Sequence, residues 1–302
     1  MKRWSRATTA IAAALAVVLF AAGGAPSGAA APGATKPVIV AAENFYGDVV
    51  AQIAGNLATV ITIVSDPNAD PHEYESSAVD AAEIARASLV VMNGLGYDDF
   101  VTRMMKASPN PTRRLISVER LTGHKTGDNV HLWYDPATMP RVAQSVTDDL
   151  VLIDPANSLH YRDWLNRFLG SLGPLHQKIA EMRAKYARVP VAFTEPVFGY
   201  MAEAIGLRVL TPGAFMRAVE EGNDPPASAI AQNEDQLRTH QVKVLLYNLQ
   251  TVTRITTNVQ KLAKELGIPV VGVSETEPRN RTFQDWQLSQ LESLDAALGG
   301  SK

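Results

Sequence analysis

From residue 37 onward, short apolar runs rich in β-branched residues alternate with helix-like segments, and this alternation constrains the fold more than any other feature. The runs at 59–64 (TVITIV) and 88–93 (SLVVMN), for example, flank the amphipathic segment 78–87. Strands that alternate with helices are typical of parallel sheets, because a parallel connection must cross over and return to the same end of the sheet. The pattern therefore predicts an α/β protein.

The alternation occurs twice, with roughly four strand-like runs in each half. In the first half the runs lie near residues 38–42, 59–64, 88–93 and 114–118, and in the second near 189–193, 207–211, 243–248 and 269–274. Between the halves, residues 157–187 have apolar positions three and four apart, as on a helix. We predict two lobes, each a roughly four-stranded parallel sheet with flanking helices, joined by a long linker helix. Because an interior proline kinks or breaks a helix, Pro174 could divide this linker into two consecutive helices.

The N-terminus differs from the rest of the chain. Basic residues precede the apolar run 10–22, and a stretch of small residues follows it, as in secretory signal peptides. We therefore expect cleavage near Ala30 and an exported protein, in the periplasm or at the cell surface. The predicted organisation is a signal peptide at 1–30, an N-terminal metal-binding lobe at 31–156, the linker helix at 157–187 and a C-terminal metal-binding lobe at 188–302.

Composition excludes several classes of site and partner. The chain has no cysteine, which excludes disulfides, thiolate ligands and a lipoprotein anchor attached to cysteine. Any metal site must therefore use nitrogen and oxygen ligands. The formal net charge is −3, and removing residues 1–30 takes away three of the 28 Lys and Arg and none of the 31 Asp and Glu, which leaves −6. A nucleic-acid partner is not expected, since such binding needs a basic surface.

Four metal-capable side chains lie near predicted strand ends, where ligands bind in open α/β sheets. His72 follows the run 59–64 after a short loop, and His131 precedes a helix that begins near Asp135 and Pro136. Glu195 and Glu275 directly follow the first and last strands of the second lobe. If the two lobes face each other, two imidazoles and two carboxylates meet, which suits a divalent first-row metal ion. Taken singly, each has a commoner explanation: a solvated loop histidine, or an acid that stabilises a helix N-terminus.

The remaining histidines are weaker candidates. His124 lies in a turn-rich loop and is expected to be exposed, with an auxiliary metal contact as the alternative. His160 and His176 fall on the linker and His240 near a strand, so packing or solvated roles are expected for all three. Asn248 lies just past a strand end and could reach the cleft beside the ligands.

Four segments of the chain, in their order and spacing, resemble the metal-binding extracytoplasmic component of zinc and manganese ABC importers. These segments are DPHEYE, VHLWYDP, FTEPVFGY and VSETEP. The resemblance covers about residues 37–298. It implies two α/β lobes joined by a long rigid helix and a metal ion held between them, with His72, His131, Glu195 and Glu275 as ligands. It also implies a receptor, without catalytic residues, that delivers the ion to an ABC permease in the cytoplasmic membrane.

The chain also departs from this family. Many relatives are lipoproteins, but the cysteine is absent here, and many zinc-specific relatives carry a histidine-rich loop where this chain has only His124. Zn²⁺ is favoured because intrinsic affinities follow the Irving–Williams order, although two carboxylates also suit Mn²⁺. We expect a monomer. The alternatives are a metal-dependent hydrolase, which would need an open coordination position, and a surface adhesin, which would tolerate loss of both histidines.

Overall fold

The structure is a computed structural model that describes Met1, residues 35–67 and residues 71–300, except for the Glu73 side chain. Apart from Met1, the predicted signal peptide at 1–30 and its cleavage near Ala30 lie outside these residues. No helix in the described ranges is both long enough and apolar enough to cross a membrane.

Two four-stranded parallel sheets form the framework, as the alternation predicts. The first consists of β1 (Val38–Glu43), β2 (Thr59–Val64), β3 (Leu89–Met92) and β4 (Arg114–Ser117), in the order β2-β1-β3-β4. The second consists of β5 (Pro190–Phe193), β6 (Arg208–Val209), β7 (Leu245–Asn248) and β8 (Val270–Val273), in the order β6-β5-β7-β8. In register, Val40 lies opposite Val90 and Leu246 opposite Val271. β6 has only two residues, so the prediction for 207–211 is too long.

Helices cover both sheets. The N-terminal lobe contains α1 (Asn44–Ala54), α2 (Ala78–Arg86), α3 (Asp99–Ala107), α4 (Val118–Thr122) and α5 (Thr138–Ile153). Single helical turns occur at Pro71–Glu73, Leu132–Tyr134, Pro155–Asn157 and Pro196–Phe198. Local chemistry sets several helix starts: the Ser77 hydroxyl accepts from the Asp80 amide while the Asp80 carboxylate accepts from the Ser77 amide, a capping box that begins α2.

The linker consists of two helices, α6 (Ser158–Ser171) and α7 (Gly173–Tyr186), with Leu172 between them. Pro174 occupies the first turn of α7, where its missing amide hydrogen costs no helical hydrogen bond. The predicted long linker helix is thus bent into two consecutive helices, which is the alternative that Pro174 left open. The remaining helices of the C-terminal lobe are α8 (Gly199–Ile205), α9 (Gly213–Glu220), α10 (Ala227–Arg238), α11 (Arg254–Glu265) and α12 (Phe283–Gly300).

One apolar core runs through both lobes. It joins Ile39 of β1 and Val191 of β5 to Leu165 of α6, Met182 of α7 and Trp286 of α12, all buried. Each sheet also packs its outer face against its own helices in a separate cluster. Because the core is shared, a rigid-body opening of the lobes would expose apolar surface to water, which opposes large hinge motions.

Aromatic rings fill the boundary between the lobes. Phe45 stacks on Trp133 with ring centroids 4.3 Å apart, and Tyr134 meets Phe198 at 5.6 Å and Trp286 at 6.0 Å, each edge to face. The Tyr134 hydroxyl is buried and lies 2.7 Å from the Ser274 carbonyl, to which it donates. These contacts fix the first lobe against the second directly behind the strand ends.

A buried acid, Glu43, ends β1. It is fully buried, and its side chain lies within hydrogen-bonding reach of the Asp98 carboxyl group. Burial raises the pKa of Glu43 well above its usual value, and the charge of Asp98 raises it further. Asp98 accepts from the backbone amides of Asn93 (2.6 Å) and Gly94 (2.8 Å), which stabilise its anion. Folding therefore favours the protonated form of Glu43.

We predict that Glu43→Gln stabilises the metal-stripped protein more as pH rises. Above about pH 4.3 the unfolded chain loses the Glu43 proton whereas the folded chain keeps it. The wild-type free energy of unfolding therefore falls, by up to about 1.4 kcal/mol per pH unit, until pH reaches the raised pKa. Glutamine does not ionise and escapes this loss. Urea unfolding near pH 5 and near pH 8 measures the free energy of unfolding of the wild type and the variant. Glu292→Gln, at an exposed position, is the control. The prediction would be contradicted if the free energies of unfolding of Glu43→Gln and the wild type differed by the same amount at both pH values.

Candidate metal centre

The four predicted residues lie at or near the carboxyl ends of the two sheets; His72 lines an open cleft there, whereas His131, Glu195 and Glu275 are buried. His72 follows β2 on the turn Pro71–Glu73, and His131 immediately precedes the turn Leu132–Tyr134. Glu195 follows β5 and Glu275 follows β8. Each side chain is therefore placed by a strand end or by the short helical turn beside it, as expected for open α/β sheets.

Three of the four meet directly. Glu275 Oε2 lies 3.4 Å from Nε2 of His72 and 3.5 Å from Nε2 of His131, and the Tyr97 hydroxyl donates to the same oxygen at 2.9 Å. Glu275 belongs to the second lobe and the other three residues to the first. A C-lobe carboxylate therefore contacts both N-lobe imidazoles through the nitrogens that could bind a metal.

Glu195 joins this group through Asn248. The Asn248 amide nitrogen donates to Glu195 Oε2 at 2.7 Å and to Glu275 Oε1 at 2.6 Å, and it also lies 3.0 Å from the Thr251 hydroxyl. Asn248 thus holds the two carboxylates side by side despite their like charges. The expectation that Asn248 reaches the cleft is met by these contacts.

Burial differs across the site. His131 and Glu275 are fully buried and Glu195 is 3% exposed, whereas the His72 side chain is 24% exposed. A cleft of about 860 Å³, whose walls include His72, Tyr97 and Glu220, leads to this more open side. His72 is therefore the most exposed of the four candidate residues.

The two carboxylates have opposite pKa shifts. Burial raises the pKa of Glu195 to about 7, with the charge of Glu275 adding to the rise and the Asn248 hydrogen bond opposing it. Burial alone would also raise the pKa of Glu275, but the imidazoles of His131 and His72, 3.5 and 3.4 Å away, hold it well below its usual range. The site therefore keeps Glu275 as a permanent anion.

Several buried atoms at the site lack a hydrogen-bond partner among the described residues. They are His131 Nε2, Glu195 Oε1 and Glu220 Oε1. Such atoms are costly in a folded protein unless something satisfies them. All three are lone-pair donors of the kind that divalent metal ions accept, so the donor chemistry fits a cation.

Sequence reasoning missed Glu220. This residue ends α9, and His72, His131 and Glu220 each offer a ligand atom within 4.8 Å of the others. Glu220 Oε1 lies 3.7 Å from His131 Nδ1, on the opposite side of the ring from Glu275. Burial raises its pKa. No strand-end signal marks Glu220, because α9 reaches the cleft only through tertiary packing.

The other histidines have separate surroundings. His124 Nδ1 lies 2.8 Å from the Thr122 hydroxyl, and its ring packs edge to face on Tyr200 with centroids 5.3 Å apart. His160 is exposed and its ring lies 6.0 Å from Trp164, and His176 is exposed on α7.

A model of the family described as "Zinc-uptake complex component A periplasmic" matches residues 39–297. Among curated proteins, the high-affinity zinc uptake system protein ZnuA of Bacillus subtilis is 22% identical over 263 residues, covering 80% of this chain and 79% of the relative. The manganese-binding lipoprotein MntA of Halalkalibacterium halodurans is 25% identical over 205 residues, 60% of this chain. The matched region spans 66% of that relative's length.

Solved structures share the fold. A crystal structure of ZnuA has a TM-score of 0.71 at 22% identity, over 88% of this chain and 99% of that one. The solute-binding protein FpvC of Pseudomonas aeruginosa, solved with Mn²⁺, has a TM-score of 0.71 at 21% identity, over 89% and 100%. The two-lobe architecture of this chain is thus an established one.

We predict that Asn248→Ala destabilises the metal-stripped protein. Without the amide, two buried carboxylates lose a shared donor and face each other unscreened, at a cost of about 1–3 kcal/mol in the free energy of unfolding. Chemical unfolding of the metal-stripped protein measures this loss. Asn166→Ala, at an exposed position of α6, is the control and should change stability by less than about 0.5 kcal/mol. If Asn248→Ala and the wild type had the same denaturant midpoint of unfolding, the role of Asn248 as a bridge between Glu195 and Glu275 would be refuted.

Proposed function

This chain belongs to the family of periplasmic zinc-uptake complex component A proteins, and from that premise we propose that it is a receptor for a divalent transition metal ion outside the cytoplasm. The observation that carries the proposal is the contact of Glu275 with both imidazoles, 3.4 Å and 3.5 Å away, in a cleft between two lobes. A buried N/O donor set with unsatisfied lone pairs is what a metal receptor needs.

The ligand set we propose is His72, His131, Glu195 and Glu275. The two imidazoles supply neutral nitrogen and the two carboxylates supply the negative charge that balances a dication. Glu195 suits this role because its Oε1 is buried without a hydrogen-bond partner in the described part of the chain. Asn248 and Tyr97 orient the carboxylates, as residues behind metal ligands usually do.

We propose Zn²⁺ as the favoured ion and Mn²⁺ as the second. A site with two nitrogens and two oxygens binds Zn²⁺ more tightly than Mn²⁺ on intrinsic affinity, while two carboxylates leave Mn²⁺ acceptable. Relatives named for each metal support both choices: a zinc uptake protein and a manganese-binding lipoprotein.

We further propose that the loaded protein passes its ion to an ABC permease and performs no catalysis itself. Four protein ligands would leave no open position at which a zinc-bound water could act, which argues against a hydrolase. The acidic balance of the chain supports a partner other than nucleic acid. A monomer is the expected form, because the cleft draws all of its candidate ligands from one chain.

We predict that the metal-stripped protein without residues 1–30 binds one Zn²⁺, and that His72→Ala and Glu275→Ala each weaken this binding by more than about tenfold. Each change removes a proposed ligand, and Glu275→Ala also removes one of the two balancing charges. Competition with a chromogenic chelator measures the affinity. In the same assay, Zn²⁺ should displace Mn²⁺ from the loaded protein.

The matched control is His176→Ala, which removes an exposed imidazole on α7, a helix that supplies none of the proposed ligands. It should bind Zn²⁺ as the wild type does. Equal affinity in His72→Ala, Glu275→Ala and wild type would defeat the assignment of the site.

A further inference from the structure

Asn129 connects the two lobes through His131. Its side-chain oxygen lies 2.7 Å from His131 Nδ1 and accepts from the His131 backbone amide at 3.1 Å. Its side-chain nitrogen donates to the Pro196 carbonyl at 2.8 Å, and its backbone carbonyl accepts from the Tyr200 hydroxyl at 2.9 Å. One N-lobe residue thus contacts a proposed ligand of its own lobe and the C-lobe segment that follows Glu195.

The donors and acceptors around Asn129 allow only one orientation of its side-chain amide. The Pro196 carbonyl can only accept and the His131 backbone amide can only donate, so the Asn129 nitrogen must face Pro196 and its oxygen must face His131. The Asn129 oxygen can only accept, and therefore His131 Nδ1 carries the hydrogen. In the neutral ring that can bind a metal, the lone pair is then on Nε2, the nitrogen that faces Glu275.

Glu220 reinforces this arrangement. Its Oε1 lies 3.7 Å from His131 Nδ1, and no described residue donates a hydrogen bond to it. A second acceptor near Nδ1 also favours a hydrogen on that nitrogen. Both groups near Nδ1 therefore favour hydrogen on that nitrogen, which leaves Nε2 of the neutral ring free to bind a metal.

Gly199 provides independent support. A Cβ at this position would lie 2.7 Å from the Asn129 side-chain nitrogen, and the next atom met is Asn129 Cγ at 3.9 Å. The backbone of Gly199 is helical, with φ −57° and ψ −54°, so the conformation does not require glycine. The absence of a side chain here makes room for the Asn129 amide.

We propose that Asn129 is a positioning residue that couples the two halves of the metal site. Through its amide, the C-lobe segment after Glu195 fixes the ring orientation of His131 and the nitrogen on which it carries hydrogen. The inference rests on the proposed function, because it assigns Asn129 a role at that same site. Metal affinity then depends on the contact between Asn129 and the Pro196 carbonyl, which joins the lobes without involving any of the four proposed ligands.

The test uses Asn129→Ala, Gly199→Ala and the double variant. Asn129→Ala should weaken Zn²⁺ binding by roughly 10–100-fold, the usual cost of losing a partner of a metal-bound histidine. Gly199→Ala should weaken it in the same direction by displacing the amide. In the double variant the Gly199→Ala change should have no further effect, because the group it displaces is already gone. A purely structural role would give additive losses instead.

One further measurement and one control variant belong to this test. Nitrogen-15 NMR of the metal-stripped protein should show hydrogen on His131 Nδ1 in the wild type and a loss of that preference in Asn129→Ala. Gly170→Ala, in α6, is the matched control, since a Cβ there meets nothing within 4 Å, and it should bind Zn²⁺ as the wild type does.

Wild-type affinity in Asn129→Ala would overturn the proposal, and so would wild-type affinity in Gly199→Ala alone, since the contact between lobes would then not matter. Either result, together with weak binding by His72→Ala, would leave the proposed receptor function intact. A wild-type protein that binds no Zn²⁺ would instead refute the receptor function itself.

Discussion

The candidate centre depends on one buried anion. Glu275 is fully buried, and moving a carboxylate out of water costs far more than a single hydrogen bond returns. Its charge is therefore tolerable only because Tyr97 and Asn248 donate hydrogen bonds to it and the imidazoles of His72 and His131 lie 3.4 and 3.5 Å away. Three of these four come from the opposite lobe, so the stability of the anion requires the lobes to stay together.

The rest of the molecule is built to keep them together. The aromatic rings behind the site, from Phe45 through Trp133 to Trp286, pack across the lobe boundary, and the apolar core continues into both linker helices. A receptor of this construction presents its ligands already assembled. We therefore expect binding to need local rearrangement of side chains such as the partly exposed His72, and not a large swing of one lobe.

The sequence predicted the framework well because periodicity reports which positions are buried. The alternation gave two parallel sheets, strand ends located His72 and Glu275 near the cleft, and Pro174 marked the break in the linker. Glu220 and Asn129 could not be found in this way. Both act through atoms that are distant in the chain: Glu220 reaches His131 from the end of α9, and Asn129 reaches Pro196 across the lobe boundary. The burial of Glu43 beside Asp98 was equally hidden, since an acid at a strand end usually indicates exposure.

The most direct test is a crystal structure of the zinc-loaded protein, with anomalous scattering at the zinc edge to locate the ion. We expect one peak in the cleft, within about 2.0–2.2 Å of His72 and His131 ring nitrogens and of Glu195 and Glu275 carboxylate oxygens. A peak bound elsewhere on the protein, with those four side chains free of metal, would contradict the account.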